Sequence, residues 1–329
     1  MKDLQTLIPI PHIWEGLERV EERLLEASAA DDPYLTKIAQ HLLLAGGKRF
    51  RPLLTLLAAE FGDPADRRPV EAAAAVELIH VGSLYHDDVI DEADTRRGAA
   101  SVNANWNNTL AILAGDFLMA RASEVAATHL SQESVRLLAT TYAELVQGQT
   151  RELQLSGDLN HSIDDYHQVI GGKTASLIRT SARLGAMAAD ASPEVIETLS
   201  AWAWELGMVF QIADDALDLV ADEAALGKPA GSDIREGTFT APVLLAADGP
   251  DGPRIRQLLE GDLPYADAAV EEVIALVREG GFIEAVLADA KDRLARAASL
   301  LDSLPSSEAL STLKGLGDHL LDRVEAVRP

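Results

Sequence analysis

Apolar residues recur along most of the chain at the three- and four-residue spacing of one helix face. Two stretches show this spacing clearly: Ile13, Leu17, Val20 and Leu24, then Leu199, Trp202, Leu206 and Val209. Such spacing places side chains on one side of an α-helix. The alternation of apolar and polar residues that is typical of a half-buried strand is not sustained anywhere in the sequence. The pattern therefore predicts an all-α protein.

Glycine and proline clusters interrupt this pattern at intervals suited to helix ends. Four of these clusters are Gly46-Gly47, Gly98, Gly171-Gly172 and residues 227–231. The breaks predict about ten or more helices. The most linker-like segment, residues 248–253, has helical patterns of similar composition on both sides, so we predict a single domain over residues 1–329. Residues 1–12, which contain Pro9 and Pro11, are expected to be a loosely ordered N-terminal segment.

Composition and charge exclude several classes of function. The 329 residues contain 53 Asp and Glu against 28 Lys and Arg, a formal net charge of −25. A chain this acidic repels nucleic acid and anionic membranes. No apolar run approaches the ~18 to 20 residues of a membrane span, and the start lacks the features of a signal peptide, so we expect a cytoplasmic protein. The absence of cysteine leaves only oxygen and imidazole ligands for a metal, which favours hard cations.

Two acidic trios repeat the pattern DDxxD. They consist of Asp87, Asp88 and Asp91, and of Asp214, Asp215 and Asp218. On a helix, the first and last aspartate of a trio lie one turn apart on the same face, where their charges repel unless a cation lies between them. Carboxylate oxygens favour Mg²⁺, which usually shares its ligand shell with substrate phosphates. The alternative is a solvated acidic face, which the apolar neighbours of both trios disfavour.

Candidate phosphate-binding cations lie in short motifs. In Gly46-Gly47-Lys48-Arg49-Phe50-Arg51-Pro52, a flexible glycine pair precedes three cations, and the proline can open a helix. Such a turn suits a diphosphate, because Arg offers paired N–H groups and Lys a point charge. Further cations are Arg96 and Arg97 after the first trio, Lys173, and Lys228 after the second trio. The alternatives are structural: a glycine C-cap followed by solvated basic residues, and a helix C-terminus at Arg96 and Arg97.

Six segments occur in an order that resembles one enzyme family. They are GGKRFRP at 46–52, HDDVIDEADTRRG at 86–98, GDFL at 115–118, KTA at 173–175, FQIADDALD at 210–218 and GKPAGSDIREG at 227–237. Together they resemble a trans-isoprenyl diphosphate synthase of the polyprenyl synthetase family. The resemblance runs from about residue 43 to residue 243. It implies an isoprenoid synthase-type bundle of antiparallel helices around a central cavity, in a homodimer.

The resemblance also implies a role for each motif residue. The two trios would face each other across the cavity and bind three Mg²⁺ ions, chiefly through Asp87, Asp91 and Asp214, with Asp88, Asp215 and Asp218 as further or water-mediated ligands. The candidate catalytic residues are these six aspartates and Lys173. The allylic diphosphate would contact Arg96, Lys173, Thr174, Gln211 and Lys228. Isopentenyl diphosphate would contact Lys48, Arg51, His80 and Arg97, although His80 alone could be a hydrogen-bonded core histidine.

The implied reaction lengthens an allylic diphosphate by one isopentenyl unit. The allylic C–O bond ionises, the double bond of isopentenyl diphosphate attacks the cation, and a proton is lost to the released diphosphate. Metal ions, Lys and Arg would stabilise the leaving group, and an apolar cavity would exclude water. Gly82 and Ser83 are small where bulky residues in the family stop chain growth. We therefore predict a product longer than geranylgeranyl diphosphate, with a short-chain farnesyl or geranylgeranyl diphosphate synthase as the alternative.

Some residues depart from the family pattern. Thr238 replaces a usual lysine, for which Arg235 could compensate, and Asn107-Asn108 and Gln149 also differ. A terpene cyclase shares the first trio, but GGKRFRP and a complete second trio argue against it. A non-catalytic partner subunit of a hetero-oligomeric synthase would lose one or both trios, and only Thr238 favours that hypothesis.

Overall fold

Helices dominate the computed structural model, which describes residues 2–63, 66–220 and 230–326. The all-α prediction is confirmed. The helices up to the middle of the chain are Lys2–Leu7 (α1), Pro11–Ala27 (α2), Pro33–Ala39 (α3), His41–Leu44 (α4), Phe50–Ala59 (α5), Arg68–Ile90 (α6), Val102–Asn105 (α7), Asn108–His129 (α8) and Gln132–Leu155 (α9). Those that follow are Ile163–Ile170 (α10), Ser176–Ala188 (α11), Pro193–Val220 (α12), Ser232–Arg235 (α13), Ala241–Ala247 (α14), Gly252–Leu258 (α15), Asp267–Glu279 (α16), Phe282–Leu300 (α17) and Glu308–Glu325 (α18). Within the described ranges, every helix is too short or too polar to cross a membrane.

The described residues form two compact units. The first contains the residues up to Ala143 with Leu177–Ser200 and Ser306–Thr312, and the second contains Glu144–Ser176, Ala201–Pro305 and the residues from Leu313 onward. Each is described below by itself. The single domain over residues 1–329 stays a prediction.

Helix α6 is the centre of the first unit. It packs against α2, α5 and α8, and the run from Ala72 to Val76 is fully buried on every side. A helix that is apolar all round is buried all round. The polar end of α6 therefore stands out, because its last turn contains Asp87 and Asp88.

A two-residue hairpin follows α6. Strand β1, Thr95–Arg96, pairs antiparallel with β2, Ala99–Ala100, and the turn residues Arg97 and Gly98 have φ angles of 55° and 75°. Paired positive φ angles are the geometry of the tight turns that join hairpin strands, and glycine favours them. Arg96 and Arg97 thus lie in a hairpin, which corrects the alternative of a helix C-terminus.

Residues 163–176 of the second unit are helical throughout. The glycine pair at 171–172 was expected to break a helix, but Gly171–Ala175 forms a π-helical turn directly after α10. Such turns insert an extra residue into a helix and are frequent at functional sites. The expectation of a break is wrong: a Cβ atom on Gly172 would lie 2.9 Å from the Glu144 carbonyl oxygen, so close packing rather than a helix end accounts for glycine there.

The N-terminal segment contains a short helix. Residues 2–7 are helical, Ile8 and Ile10 are buried, and the indole N–H of Trp14 donates a hydrogen bond of 2.9 Å to the carbonyl of Ile8. The two prolines lie outside α1 and at the first turn of α2, where a missing N–H costs nothing. The loose order of residues 1–12 stays a prediction.

Candidate active site

The GGKRFRP motif of the first unit forms a turn between α4 and α5. Gly46 and Gly47 have φ angles of 88° and 154°, and Arg49 has a left-handed φ of 49° before α5 begins at Phe50. Glycine adopts such angles without strain. Pro52 lies in the first turn of α5, as predicted. The turn leaves Lys48 exposed and buries Arg49.

Buried carboxylate Glu77 of α6 lies beside this turn. It contacts Arg49 Nη1 at 3.2 Å and Arg97 Nη2 at 3.7 Å. Burial raises the pKa of Glu77, and the charges of Arg49, Arg97 and Arg51 oppose that shift. We refer to Arg49, Arg51 and Arg97 as the arginine cluster.

His80 lies one turn after Glu77 on α6 and contacts the third member of the arginine cluster. Arg51 Nη1 donates to His80 Nε2 at 3.3 Å, so this ring nitrogen accepts and carries no proton. Burial lowers the pKa of His80 well below its usual value, and the arginine charges lower it further. Of the four predicted isopentenyl diphosphate ligands, Arg51, His80 and Arg97 therefore lie near one helix face, with Lys48 on the adjoining turn.

The first trio spans the end of α6. Asp87 and Asp88 belong to its last turn, and Asp91 caps it with a backbone hydrogen bond of 2.8 Å to the Asp87 carbonyl. The side chain of Asp88 is fully buried, and its Oδ1 accepts from Arg96 Nε at 2.7 Å and contacts Nη2 at 2.6 Å. Asp87 is half-buried and Asp91 exposed. Asp87 and Asp91 are thus the accessible carboxylates of this trio, one turn apart.

Asp88 and Arg96 form a close ion pair. Burial raises the pKa of Asp88, and Arg96 opposes the shift. The second carboxylate oxygen of Asp88 is buried without a hydrogen-bond partner among the described residues. Asp88 therefore orients Arg96, one of the predicted allylic diphosphate ligands.

Asp215, in the second unit, has a strongly shifted pKa. Its Oδ2 accepts from the Tyr166 hydroxyl at 2.6 Å, and its Oδ1 accepts from Gln211 Nε2 at 2.8 Å. Burial raises the pKa of Asp215 to about 8, and the charges of Asp233 and Asp214 add to the shift. Asp215 is a hydrogen-bonded structural carboxyl in this arrangement.

Gln211 links Asp215 to the KTA motif. The Thr174 hydroxyl donates to Gln211 Oε1 at 2.7 Å, which fixes the amide so that its nitrogen points at Asp215. Lys173 forms an ion pair with Glu152 of α9. The structure thus brings three of the predicted allylic diphosphate ligands, Lys173, Thr174 and Gln211, into neighbouring positions of one unit.

The remaining residues of the second trio lie on α12. Asp218 is buried, and its Oδ2 accepts from the backbone N–H of Asp233 at 3.3 Å. Asp214 is half-buried. Lys228, predicted to bind the allylic diphosphate, lies outside the described residues.

Close helix packing explains the glycines around Lys173. A Cβ atom placed on Gly148 of α9 would lie 2.5 Å from the Lys173 backbone nitrogen, and one on Gly207 of α12 would lie 2.6 Å from Ala175 Cα. Distances this short leave no room for a side chain. The π-helical turn therefore packs backbone to backbone with its neighbours.

Gly82 packs against α8. A Cβ atom on Gly82 would lie 2.9 Å from Met119 Cε and 3.1 Å from the Gly115 carbonyl oxygen. Ser83 is buried, and its hydroxyl donates to the His80 carbonyl at 2.8 Å. A phenylalanine at position 82 would separate α6 from α8, so position 82 is unsuited to a test of product length by substitution.

The structure describes the surroundings of residues connected with the departures from the family pattern. Arg235, considered as compensation for Thr238, donates to Asp267 at 2.9 Å, and its compensating role stays a prediction. Asn107 caps α8, with its side chain accepting from the Leu110 N–H at 2.9 Å. Gln149 is buried in α9.

A family model described as polyprenyl synthetase matches residues 32–277. The chain is 44% identical over 308 residues to a nonaprenyl diphosphate synthase of Mycobacterium tuberculosis, covering 91% of this chain and 90% of that protein. The chain belongs to the polyprenyl synthetase family. It is also 39% identical to heptaprenyl diphosphate synthase component 2 of Geobacillus stearothermophilus, covering 93% of this chain and 95% of that one.

The fold of this polyprenyl synthetase matches solved structures. A polyprenyl synthase from Caulobacter crescentus, complexed with calcium and isoprenyl diphosphate, superimposes with a TM-score of 0.88 at 34% identity, covering 94% of this chain and 95% of that one. The predictions of an isoprenoid synthase-type fold and of a trans-prenyltransferase are confirmed.

The sequence motifs omit two residues that contact the candidate site residues. Glu77 contacts Arg97, and the Tyr166 hydroxyl donates to Asp215. A charged residue one turn before His80, next to the apolar run from Ala72 to Val76, was a usable signal for Glu77.

Proposed function

We propose that the chain is a Mg²⁺-dependent trans-polyprenyl diphosphate synthase that condenses isopentenyl diphosphate with an allylic diphosphate. One observation carries the binding part of this proposal: three arginines gather around Glu77 and His80 in a protein whose formal net charge is −25. Guanidinium groups offer paired N–H donors. Their gathering at one place in an acidic protein suits a diphosphate.

The residues available for metal binding are carboxylates, which suit Mg²⁺. Among the described residues, no three or more His, Asp or Glu side chains lie close enough together to bind a metal ion by themselves. Magnesium commonly uses one or two protein carboxylates and takes its other ligands from water and substrate phosphate. Asp87, Asp91 and Asp214 are the principal candidate ligands, and Asp88 and Asp218 are candidates for further or water-mediated ligands. The calcium in the Caulobacter crescentus relative supports a divalent cation.

The chain's own residues divide the work of the reaction. Arg96, oriented by Asp88, and Lys173, beside Glu152, would bind the allylic diphosphate, while the arginine cluster and Lys48 would bind isopentenyl diphosphate. Bound Mg²⁺ would stabilise the negative charge that develops on the leaving diphosphate. Lys173 and Arg96 add charge stabilisation at the same group. The proton lost at the end passes to the released diphosphate, so no side chain acts as base.

We favour a product longer than geranylgeranyl diphosphate. The nonaprenyl and heptaprenyl relatives support it over the short-chain alternative, and the residues five and four positions before the first trio, Gly82 and Ser83, are small.

Ser83→Phe tests the product length. Unlike Gly82, Ser83 already carries a side chain, and we expect the variant to release shorter products because a ring there would block the growing tail. The measurement is chromatography of products from radiolabelled isopentenyl diphosphate, with thermal unfolding as a check on the fold. Unchanged product length in a folded Ser83→Phe variant contradicts this role of Ser83.

A homodimer is part of the proposal. Helix α8 exposes two large apolar neighbours, Ile112 at 43% and Leu113 at 54%. Adjacent exposed apolar side chains favour burial in an interface. The cytoplasmic location stays a prediction.

Turnover by the purified chain tests the function. The assay contains Mg²⁺, farnesyl diphosphate and isopentenyl diphosphate, and the expected result is diphosphate release that requires both substrates. Release without isopentenyl diphosphate would indicate a cyclase. Absence of turnover by the chain alone would favour a partner subunit of a hetero-oligomeric synthase. This hypothesis is worth testing because the Geobacillus stearothermophilus relative is named as component 2 of its synthase.

A further inference from the structure

Glu77 is the acidic residue that the arginine cluster surrounds. Its side chain is 1% exposed and contacts Arg49 at 3.2 Å and Arg97 at 3.7 Å. A carboxylate this buried is costly unless cations and hydrogen bonds compensate it. On α6 it lies one turn before His80, between fully buried Val76 and Leu78.

The two arginines that Glu77 contacts hold the GGKR turn through its carbonyl groups. Arg49 donates to the Leu43 carbonyl at 2.8 Å and Arg97 to the Leu42 carbonyl at 3.0 Å, and both donate to the Gly46 carbonyl. The Leu42 and Leu43 carbonyls lie at the C-terminal end of α4, where a helix leaves its carbonyls without internal partners. Guanidinium groups satisfy them and match the negative end of the helix.

Gly47 fits between these guanidinium groups. A Cβ atom on it would lie 3.0 Å from Arg49 Nη1 and 3.1 Å from Arg97 Cζ. The turn that carries Lys48 therefore packs directly on the two arginines, and its position depends on where their side chains lie.

We propose that Glu77 is a positioning residue for isopentenyl diphosphate, acting through Arg97 and through the turn that carries Lys48. This inference rests on the proposed function. Without its carboxylate, Arg49 and Arg97 become neighbouring buried cations that repel each other. Arg49 keeps Glu21, at 2.6 Å, as a partner, whereas Arg97 loses its described carboxylate partner and changes orientation.

A purely structural role for Glu77 would affect both substrates alike. A positioning role affects isopentenyl diphosphate selectively, because Arg97 and Lys48 belong to that substrate. The ratio of the two KM values therefore separates the two roles.

Glu77→Gln is the main test, with Glu71→Gln as the matched control. Glu71 lies on the same helix and pairs with Arg23 at 2.7 Å, away from the arginine cluster. We expect Glu77→Gln to raise the KM for isopentenyl diphosphate about tenfold or more and to change the KM for the allylic substrate less than about twofold, whereas Glu71→Gln changes neither. An unchanged KM for isopentenyl diphosphate, or an equal rise for both substrates, overturns the proposal.

Two further variants keep the test decisive. Glu77→Asp retains the charge and can be measured in place of Glu77→Gln if that variant does not fold. Because the aspartate side chain is shorter, it should still raise the KM for isopentenyl diphosphate about threefold. In an Arg97→Ala background, the effect of Glu77→Gln should shrink, because the group through which Glu77 acts is gone. Full additivity of the two changes contradicts action through Arg97.

Calorimetric binding of isopentenyl diphosphate separates this inference from the proposed function. If the wild-type chain catalyses the condensation and both Glu77 variants bind isopentenyl diphosphate with wild-type affinity, only the positioning role is contradicted. If the wild-type chain binds isopentenyl diphosphate without turnover, the condensation activity fails, and the binding comparison still decides the role of Glu77. A wild-type chain that neither binds nor turns over overturns both.

Discussion

Asp215 accepts hydrogen bonds on both of its carboxylate oxygens, whereas Asp87 and Asp91 present theirs at more accessible positions. The DDxxD pattern treats its three aspartates alike, but their surroundings differ. The middle aspartate of each trio is buried and contacts a specific donor, Arg96 for Asp88 and Tyr166 for Asp215. Asp87, Asp91 and Asp214 are the more accessible carboxylates and the principal candidate metal ligands, whereas Asp218 is buried like Asp215.

Protonation of Asp215 should make stability depend on pH. Its pKa is about 8 in the folded chain, whereas an unperturbed aspartate has a pKa of 3.8. Because the folded state holds the proton more tightly, this stabilisation is complete below pH 3.8 and is lost as the pH rises through about 8. The expected slope is at most about 1.4 kcal/mol per pH unit. Urea unfolding of the metal-free protein from pH 4 to 9 measures it.

Asp215→Asn should flatten this profile, because an amide does not titrate. The exposed Asp262→Asn variant serves as control and should keep the wild-type slope. Equal slopes in the wild-type protein and Asp215→Asn would show that the carboxyl is ionised throughout this range.

The outer and middle aspartates of the first trio should differ in their kinetics. Asp87→Asn should lower kcat about a hundredfold or more and raise the Mg²⁺ concentration needed for half-maximal rate, because it removes an accessible ligand. Asp88→Asn should chiefly raise the KM for the allylic substrate, because Arg96 loses its partner. Rate measurements over a Mg²⁺ series check this, and an identical Mg²⁺ dependence in the two variants contradicts it.

Packing at the scale of elements decides where glycine is required. The π-helical turn Gly171–Ala175 approaches α9 at Gly148 and α12 at Gly207 so closely that backbone contacts backbone. This close approach places Lys173 and Thr174 beside Glu152 and Gln211. The geometry of the KTA motif is thus a consequence of helix packing.

Gly148→Ala should disturb this packing. Its new methyl group would meet the Lys173 backbone nitrogen at 2.5 Å, so we expect a loss of about 1–3 kcal/mol of unfolding free energy and a higher KM for the allylic substrate. Gly16→Ala is the matched control, because its nearest atom is the flexible Leu56 side chain at 3.2 Å. Thermal unfolding and steady-state kinetics measure both effects. A Gly148→Ala variant as stable as Gly16→Ala would contradict the close contact.

The charge of the whole molecule gives its few cations particular weight. With 53 acidic residues against 28 basic ones, a diphosphate is repelled except where cations gather. Three of the predicted binding cations lie beside carboxylates: Arg96 by Asp88, Arg97 by Glu77, and Lys173 by Glu152. Such pairs hold each cation in place before substrate arrives.

The proposed homodimer is tested at the same scale. We expect light scattering to give about 70 kDa, twice the 35.2 kDa of one chain, and Leu113→Glu to give the monomer mass because it charges an apolar interface. Leu300→Glu, also at an exposed leucine, is the control and should stay dimeric. A wild-type mass of one chain, or a dimeric Leu113→Glu variant, contradicts the proposed interface.

Local patterns in the sequence predicted the helical class and the family. Helical spacing of apolar residues and six ordered motifs suffice for both, since spacing and motif identity are properties of neighbouring residues. The same patterns predicted a break at Gly171-Gly172. The structure has a π-helical turn there instead, because the contact of Gly148 with the Lys173 backbone joins residues of separate elements.

Sequence patterns predicted which residue types carry the proposed chemistry: the carboxylates, the scarce cations and the small residues before the first trio. The burial and the partners of each of these side chains became known only from the folded structure. Asp88 and Asp87 are adjacent in sequence, yet one is buried against Arg96 and the other is accessible. Glu77 reaches Arg49 and Arg97 from a different element. Burial and pairing with distant residues set the charge, orientation and accessibility of a side chain, and these arise only when the chain folds.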